Sequence, residues 1–104
     1  KKIKTTGQLT EVKLPDGTSV TERYFQQACR ILLDMPVDDR KDYRLIDKIL
    51  TYLEKHQQDD VLEFDDAWVD FLEARLDQAV KNKLFLSSIS LARHFVMPLE
   101  NADD

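Results

Sequence analysis

Residues 14–25, "LPDGTSVTERYF", pass from turn chemistry to helix chemistry with hardly a residue between them. Proline presets φ at Pro15, Asp16 can bond the backbone ahead of it, and Gly17 suits the left-handed position that closes a three-residue hairpin loop. Upstream, Leu9, Val12 and Leu14 interleave with Thr10, Glu11 and Lys13, which predicts a short strand over Gln8–Leu14. Thr18–Val20 is then the return strand. Downstream, Tyr24, Phe25, Ala28, Cys29, Ile31 and Leu32 recur at helical spacing, predicting a helix from Thr21 to Met35 that stops before Pro36. Ser19 with Glu22 matches a capping box, and Thr21 is an equally good cap. With only two glycines in the chain, a helix following so closely makes this stretch a structural corner rather than a phosphate cradle.

The same periodicity continues. A second helix is predicted from about Asp39 to about Gln57, with Ile46, Ile49, Leu50 and Leu53 as its apolar stripe. After a polar link and Val61-Leu62-Glu63-Phe64, Asp65 is placed to cap a third helix carrying Ala67, Trp68, Phe71, Leu72, Leu76, Ala79 and Val80. Phe64 occupies the hydrophobic-staple position before it. Ser87 is the expected cap of a last helix with Ile89, Leu91, Ala92, Phe95 and Val96, stopped at Pro98. The expected fold is mainly α, an N-terminal β-hairpin followed by a four-helix domain. Residues 1–20 form the hairpin arm, 21–98 the helical body and 99–104 a frayed acidic tail. The expected core is Phe25, Leu32, Ile46, Ile49, Leu50, Leu53, Trp68, Leu72, Leu76, Ile89 and Phe95.

A chain of 104 residues with 42% hydrophobic and 34% charged residues is enough for one domain and one core. The net charge of −5 disfavours non-specific attraction to a polyphosphate. The single cysteine, Cys29, forms no internal disulfide and sits on an apolar helix face, which suits a core thiol in a reducing compartment. No run of eighteen apolar residues marks a membrane span. The lysine-led start, with no apolar stretch behind it, does not read as a signal peptide, and the absence of an initiator methionine points to processing or trimming. A cytoplasmic location is expected.

Motifs for chemistry are sparse. Asp59, Asp60, Glu63, Asp65 and Asp66 form a dense acidic run, but the alternation and turn glycine of a calcium loop are missing, so they read as a linker and helix-capping acids. His56 and His94 lie far apart, without ligands at metal spacing, and read as a helix end and a packing or surface residue. Nucleophile-elbow, Walker and dinucleotide patterns are all absent. The expectation is a non-enzymatic protein with no cofactor and no metal.

Charge patterning says more. Lys41, Arg44, Lys48 and Lys55 recur at three, four and seven on the second helix, forming a basic stripe. Asp66, Asp70, Glu73 and Asp77 form an acidic stripe on the third. Such stripes can be solvated faces, can pair with each other or between protomers, or can recruit partners. A phosphate-contacting role for Lys41, Arg44 and Lys48 is the alternative, as in a nucleic-acid-associated regulator, although Asp42 and Asp47 interrupt the positive field. The strand residues Leu9, Glu11 and Val12 are the other candidate contact, because two strands alone are marginal in water and an edge invites pairing.

The succession of "LPDGTSVT", "RYFQQACRILL", "YRLIDKILTYL", "VLEFDDAWVDFLEARL" and "LARHFVMPLE" resembles small uncharacterised accessory proteins of tailed bacteriophages. In these a D-G hairpin feeds a helical body, and an acidic corner starts the third helix. The resemblance implies a virus-encoded protein that binds other proteins, itself or a host protein included, in particle assembly or in interference with a host machine. It implies a place in the host cytoplasm or the virion, and it transfers no catalytic or binding residue.

Overall fold

The computed structural model describes residues 1–83 and 89–103. In chain order the elements are β1 (Lys2–Lys4), β2 (Thr10–Lys13), β3 (Ser19–Glu22), α1 (Tyr24–Leu33), α2 (Lys41–Lys55), β4 (Val61–Glu63) and α3 (Asp66–Lys81). The C-terminal helix is built from α4 (Ile89–Leu91), a π-helical turn (Ala92–Val96) and α5 (Met97–Glu100). Helix makes up 54% of the described residues, and two small antiparallel sheets accompany it, one of β1 with β4 and the other of β2 with β3.

The core follows from the amphipathic faces of these elements. In α1, Phe25, Ala28, Cys29, Leu32 and Leu33 turn inward, meeting Ile46, Ile49 and Leu53 of α2 and Val69, Leu72, Leu76 and Ala79 of α3. Phe95 stacks at a tilt on Phe25, their ring centroids 5.0 Å apart. Leu50 and Trp68 pack partly buried against this cluster. Each fully buried Val, Leu, Ile or Phe among them contributes about 1.5–3 kcal/mol. Cys29 has no exposure, and burial, with Glu22 nearby, pushes its thiol pKa up.

The sheet of β1 and β4 lies outside the sequence expectations. Lys2-Ile3-Lys4 alternates out, in, out, and so does Val61-Leu62-Glu63, so Ile3 and Leu62 meet across the pair with no exposure. The expected frayed tail is corrected with it. Leu99 is buried, and Asp103 bridges to Lys2, its N–H donating to the Lys2 carbonyl at 3.0 Å. An apolar side chain at Leu99 and a free strand edge at Lys2 together give the C-terminal segment something to bind.

Other boundaries also move. Ser19, Thr21 and Glu22 cap nothing, because the return strand continues to Glu22 and α1 begins after Arg23, whose side chain makes no capping bond. Asp65 holds the cap position of α3 with extended backbone, but its carbonyl, not its carboxylate, meets the N–H groups of Trp68 and Val69. Pro98 does not stop the last helix. The chain widens into a π turn, in which the Met97 N–H reaches Ala92, and then continues to Glu100 past the residue that has no N–H to offer. Ile89, expected in the core, is 65% exposed, since Leu91 and Phe95 take the inward positions and Ile89 falls on the other side of the helix. The expected cap Ser87 lies outside the described residues.

Candidate interaction surface

The hairpin of β2 and β3 is built from the corner outward. The Gly17 N–H donates to the Leu14 carbonyl at 3.0 Å, and the Leu14 N–H donates to Thr18 at 2.8 Å. Gly17 sits at φ +92°, the left-handed position that completes a three-residue loop. Asp16 Oδ1 accepts the Thr18 hydroxyl at 2.6 Å and its N–H at 2.9 Å. These bonds, the hydroxyl's first, hold the Asp16 carboxyl below the usual carboxylate range.

This geometry fixes which way each backbone group of β2 points. Hydrogen-bonded and non-bonded pairs alternate along an antiparallel ladder. With Leu14 bonded to Thr18, the bonded pairs that follow are Val12 with Val20 and Thr10 with Glu22, while Glu11 faces Thr21 in a non-bonded pair. The N–H and C=O groups of Glu11 and Lys13 therefore point away from β3, toward solvent. Both side chains are exposed, and Leu9, just before the strand, is 40% exposed.

The inner face is anchored to α1. Gln27 Nε2 donates to Thr10 Oγ1 at 3.0 Å. The fully buried Glu22 accepts Arg30 Nε at 3.0 Å, tying the end of β3 to the helix that follows. Val12 and Val20 face each other half-buried. Val12 thus contributes its side chain to the hairpin and its backbone to the internal ladder, while the outward backbone belongs to its two neighbours.

The other sheet covers its edges in part. The same alternation leaves Lys2, Lys4, Val61 and Glu63 pointing outward, and two of the four are met: Lys2 exchanges bonds with Asp103, and the Glu63 N–H donates to the Tyr52 hydroxyl at 2.8 Å. Natural sheets blunt their edges in this way. Among the described residues no such cover meets Glu11 and Lys13 on β2, or Ser19 and Thr21 on the opposite edge of the hairpin.

The charged stripes are where periodicity placed them. Lys41, Arg44, Lys48 and Lys55 are exposed on α2, and Asp66, Asp70, Glu73 and Asp77 are exposed on α3. Both helices contact α1. Among the described residues no ion pair joins the stripes; the pairs present are Arg23–Asp60, Arg30–Glu22 and His56–Asp59. The acidic run is dispersed accordingly, with Asp59 bonded to His56 Nδ1 at 2.6 Å and Asp60 bonded to Arg23 at 2.8 Å. Among the described residues no cluster of histidine, cysteine and acid side chains is arranged to hold a metal ion. His94 Nδ1 lies 2.7 Å from the Thr6 hydroxyl, packing the segment before β2 onto the last helix.

One feature escaped sequence reasoning. Lys2 and Lys4 on the outer face of β1 converge with Arg93 and Met97 on an open groove of about 590 Å³. The Lys-Ile-Lys alternation was visible in the sequence, but nothing there placed Arg93 beside it. Among the described residues no helix is long and apolar enough to cross a membrane. Neither a family model, nor a curated protein, nor a solved structure matches the chain.

Proposed function

We propose that this chain is a small protein-interaction module that works by strand addition at the open edge of β2. One observation carries the proposal: the outward backbone groups of Glu11 and Lys13 belong to exposed residues of a hairpin tied to α1, and this edge, unlike that of Ser19 and Thr21 on β3, presents charged side chains to a partner. Added strands gain affinity from main-chain bonds and specificity from alternate side chains. The phage-like order of motifs suits a virus-encoded protein acting in particle assembly or on a host protein.

Proline at Glu11 or Lys13 tests this, because it removes an outward N–H that the hairpin itself does not use. In pull-downs with a bound protein identified by mass spectrometry, E11P and K13P are expected to lose that protein while keeping wild-type helix content by circular dichroism. Retention of the same partner by both variants refutes edge addition. The exposed bases of α2 support a second proposal, a nucleic-acid contact through Lys41, Arg44 and Lys48. A gel shift with duplex and single-stranded DNA at low salt separates the two, since the absence of any shift removes the nucleic-acid proposal.

A further inference from the structure

We infer that the occupant of the β2 edge is a second copy of this chain, paired antiparallel about a two-fold axis at Val12; the inference rests on the edge-addition proposal above. The edge is self-complementary in charge. Its two outward-facing residues are an acid and a base two positions apart, and both are exposed. A two-fold axis at Val12 sets Glu11 of one copy opposite Lys13 of the other, and Lys13 of the first opposite Glu11 of the second. In this register every outward N–H and C=O of Glu11 and Lys13 meets an outward group, so both pairs are hydrogen-bonded pairs.

The neighbouring registers are worse on the same grounds. An axis at Glu11 sets acid against acid, and an axis at Lys13 sets base against base, and like charges directly opposite destabilise a ladder. A slip by one residue matches outward groups with inward ones and forfeits the backbone bonds. With the axis at Val12, the half-buried Val12 side chains also meet at the close, non-bonded position. Leu9, 40% exposed, falls opposite Pro15 of the other copy. Pro15 has no N–H to offer and ends the ladder there. The result is a closed, isologous dimer with a continuous sheet made from two hairpins.

The test is a charge swap on the full chain, with mass followed by sedimentation velocity over a concentration series. E11K and K13E each place like charges opposite one another in the symmetric dimer, so each alone is expected to raise the concentration of half-dimerisation by about tenfold or more. An equimolar mixture of the two restores opposite charges in both pairs and is expected to recover dimer. The chain carries −5 overall, and E11K lowers that negative charge while K13E raises it. A net-charge effect would therefore move the two variants in opposite directions, and that outcome overturns the register. A dimer insensitive to E11K, K13E and E11P overturns the β2 interface. A wild-type chain that stays monomeric up to roughly millimolar concentration, the 4.1 kcal/mol end of the affinity scale, overturns the second copy as occupant. In that case E11P-sensitive capture of another protein still upholds edge addition, so the two proposals fail separately.

Discussion

Arg75 lies on the buried side of α3, 5% exposed, with no carboxylate at ion-pair distance among the described residues. It serves the end of another helix. Its Nη1 donates to the Met35 carbonyl at 2.8 Å and to the Leu32 carbonyl at 3.1 Å, just where α1 runs out of N–H donors. The guanidinium also lies 4.8 Å from the centre of the Phe71 ring. Arg75→Met keeps most of the stem's packing and removes the donors. Leu32 retains a bond from the Met35 N–H at 3.3 Å, so the Met35 carbonyl bears most of the loss. An unmet buried acceptor costs about 1–3 kcal/mol. The lost cation at a helix C-terminus adds about 0.3–1 kcal/mol, and the ring contact about 0.5–1 kcal/mol. Relief of a desolvated charge opposes these. The expected net destabilisation is about 2 kcal/mol, or roughly 10 °C in Tm for a domain of this size. Urea and thermal unfolding followed by circular dichroism measure it, with Arg75→Lys expected to recover part of the loss by keeping charge and one donor. Because the partners are carbonyls, the difference should persist between about 0.05 and 0.5 M salt. A Met variant within about 0.5 kcal/mol of wild type refutes the helix-end role.

The two glycines predict unequal losses. A side chain at Gly17 meets nothing within 4 Å, so Gly17→Ala costs only the left-handed backbone at φ +92°, about 1 kcal/mol by urea unfolding. At Gly7 (φ +93°) a Cβ also comes within 3.3 Å of His94 Nδ1, and Gly7→Ala is expected to destabilise more than Gly17→Ala; the reverse order refutes the packing of this segment on the last helix. For Cys29, burial raises the folded thiol pKa above that of the unfolded chain, about 8.5. Above that pH the unfolded chain releases a proton that the folded chain keeps, so this contribution is full below about pH 8.5 and declines by up to about 1.4 kcal/mol per pH unit above it. Comparison of the pH slopes of wild type and Cys29→Ala isolates the effect, and equal slopes refute it.

The parts of the fold visible in the sequence are those whose signal is local. α2 lies close to its expected bounds because fifteen residues repeat one amphipathic pattern. The Pro15-Asp16-Gly17 corner was visible because each residue has its own conformational reason to be there. β1 and β4 were not, since three residues barely define an alternation and each strand exists only through a partner far along the chain. The start of α1 shows two local signals in competition: Ser19 and Glu22 spell a cap, but the hairpin register extends the strand through both, and Arg30 takes the Glu22 carboxylate. Arg75 marks where composition misleads, as its charge sits at a core position that makes sense only once the end of α1 is seen beside it. At the candidate surface, Leu9, Glu11 and Val12 were identifiable as edge residues. The division of labour between Val12 and its neighbours was not, because it depends on which backbone pairs are bonded.

The position of β1 also bears on the order of assembly. Its contacts span the molecule: the Thr5 hydroxyl reaches Asp60, 55 residues on, and Lys2 reaches Asp103. Such long closures cost more chain entropy than the short loop of the β2–β3 hairpin or the eight-residue reach from Glu22 to Arg30, and they are expected to be made late. The hairpin and α1 are therefore expected to form while β1 is still searching for its two neighbours. Slow closure at β1 would leave the edge at Glu11 and Lys13 on offer before the body is complete, so that encounter between chains competes with the last step of folding itself.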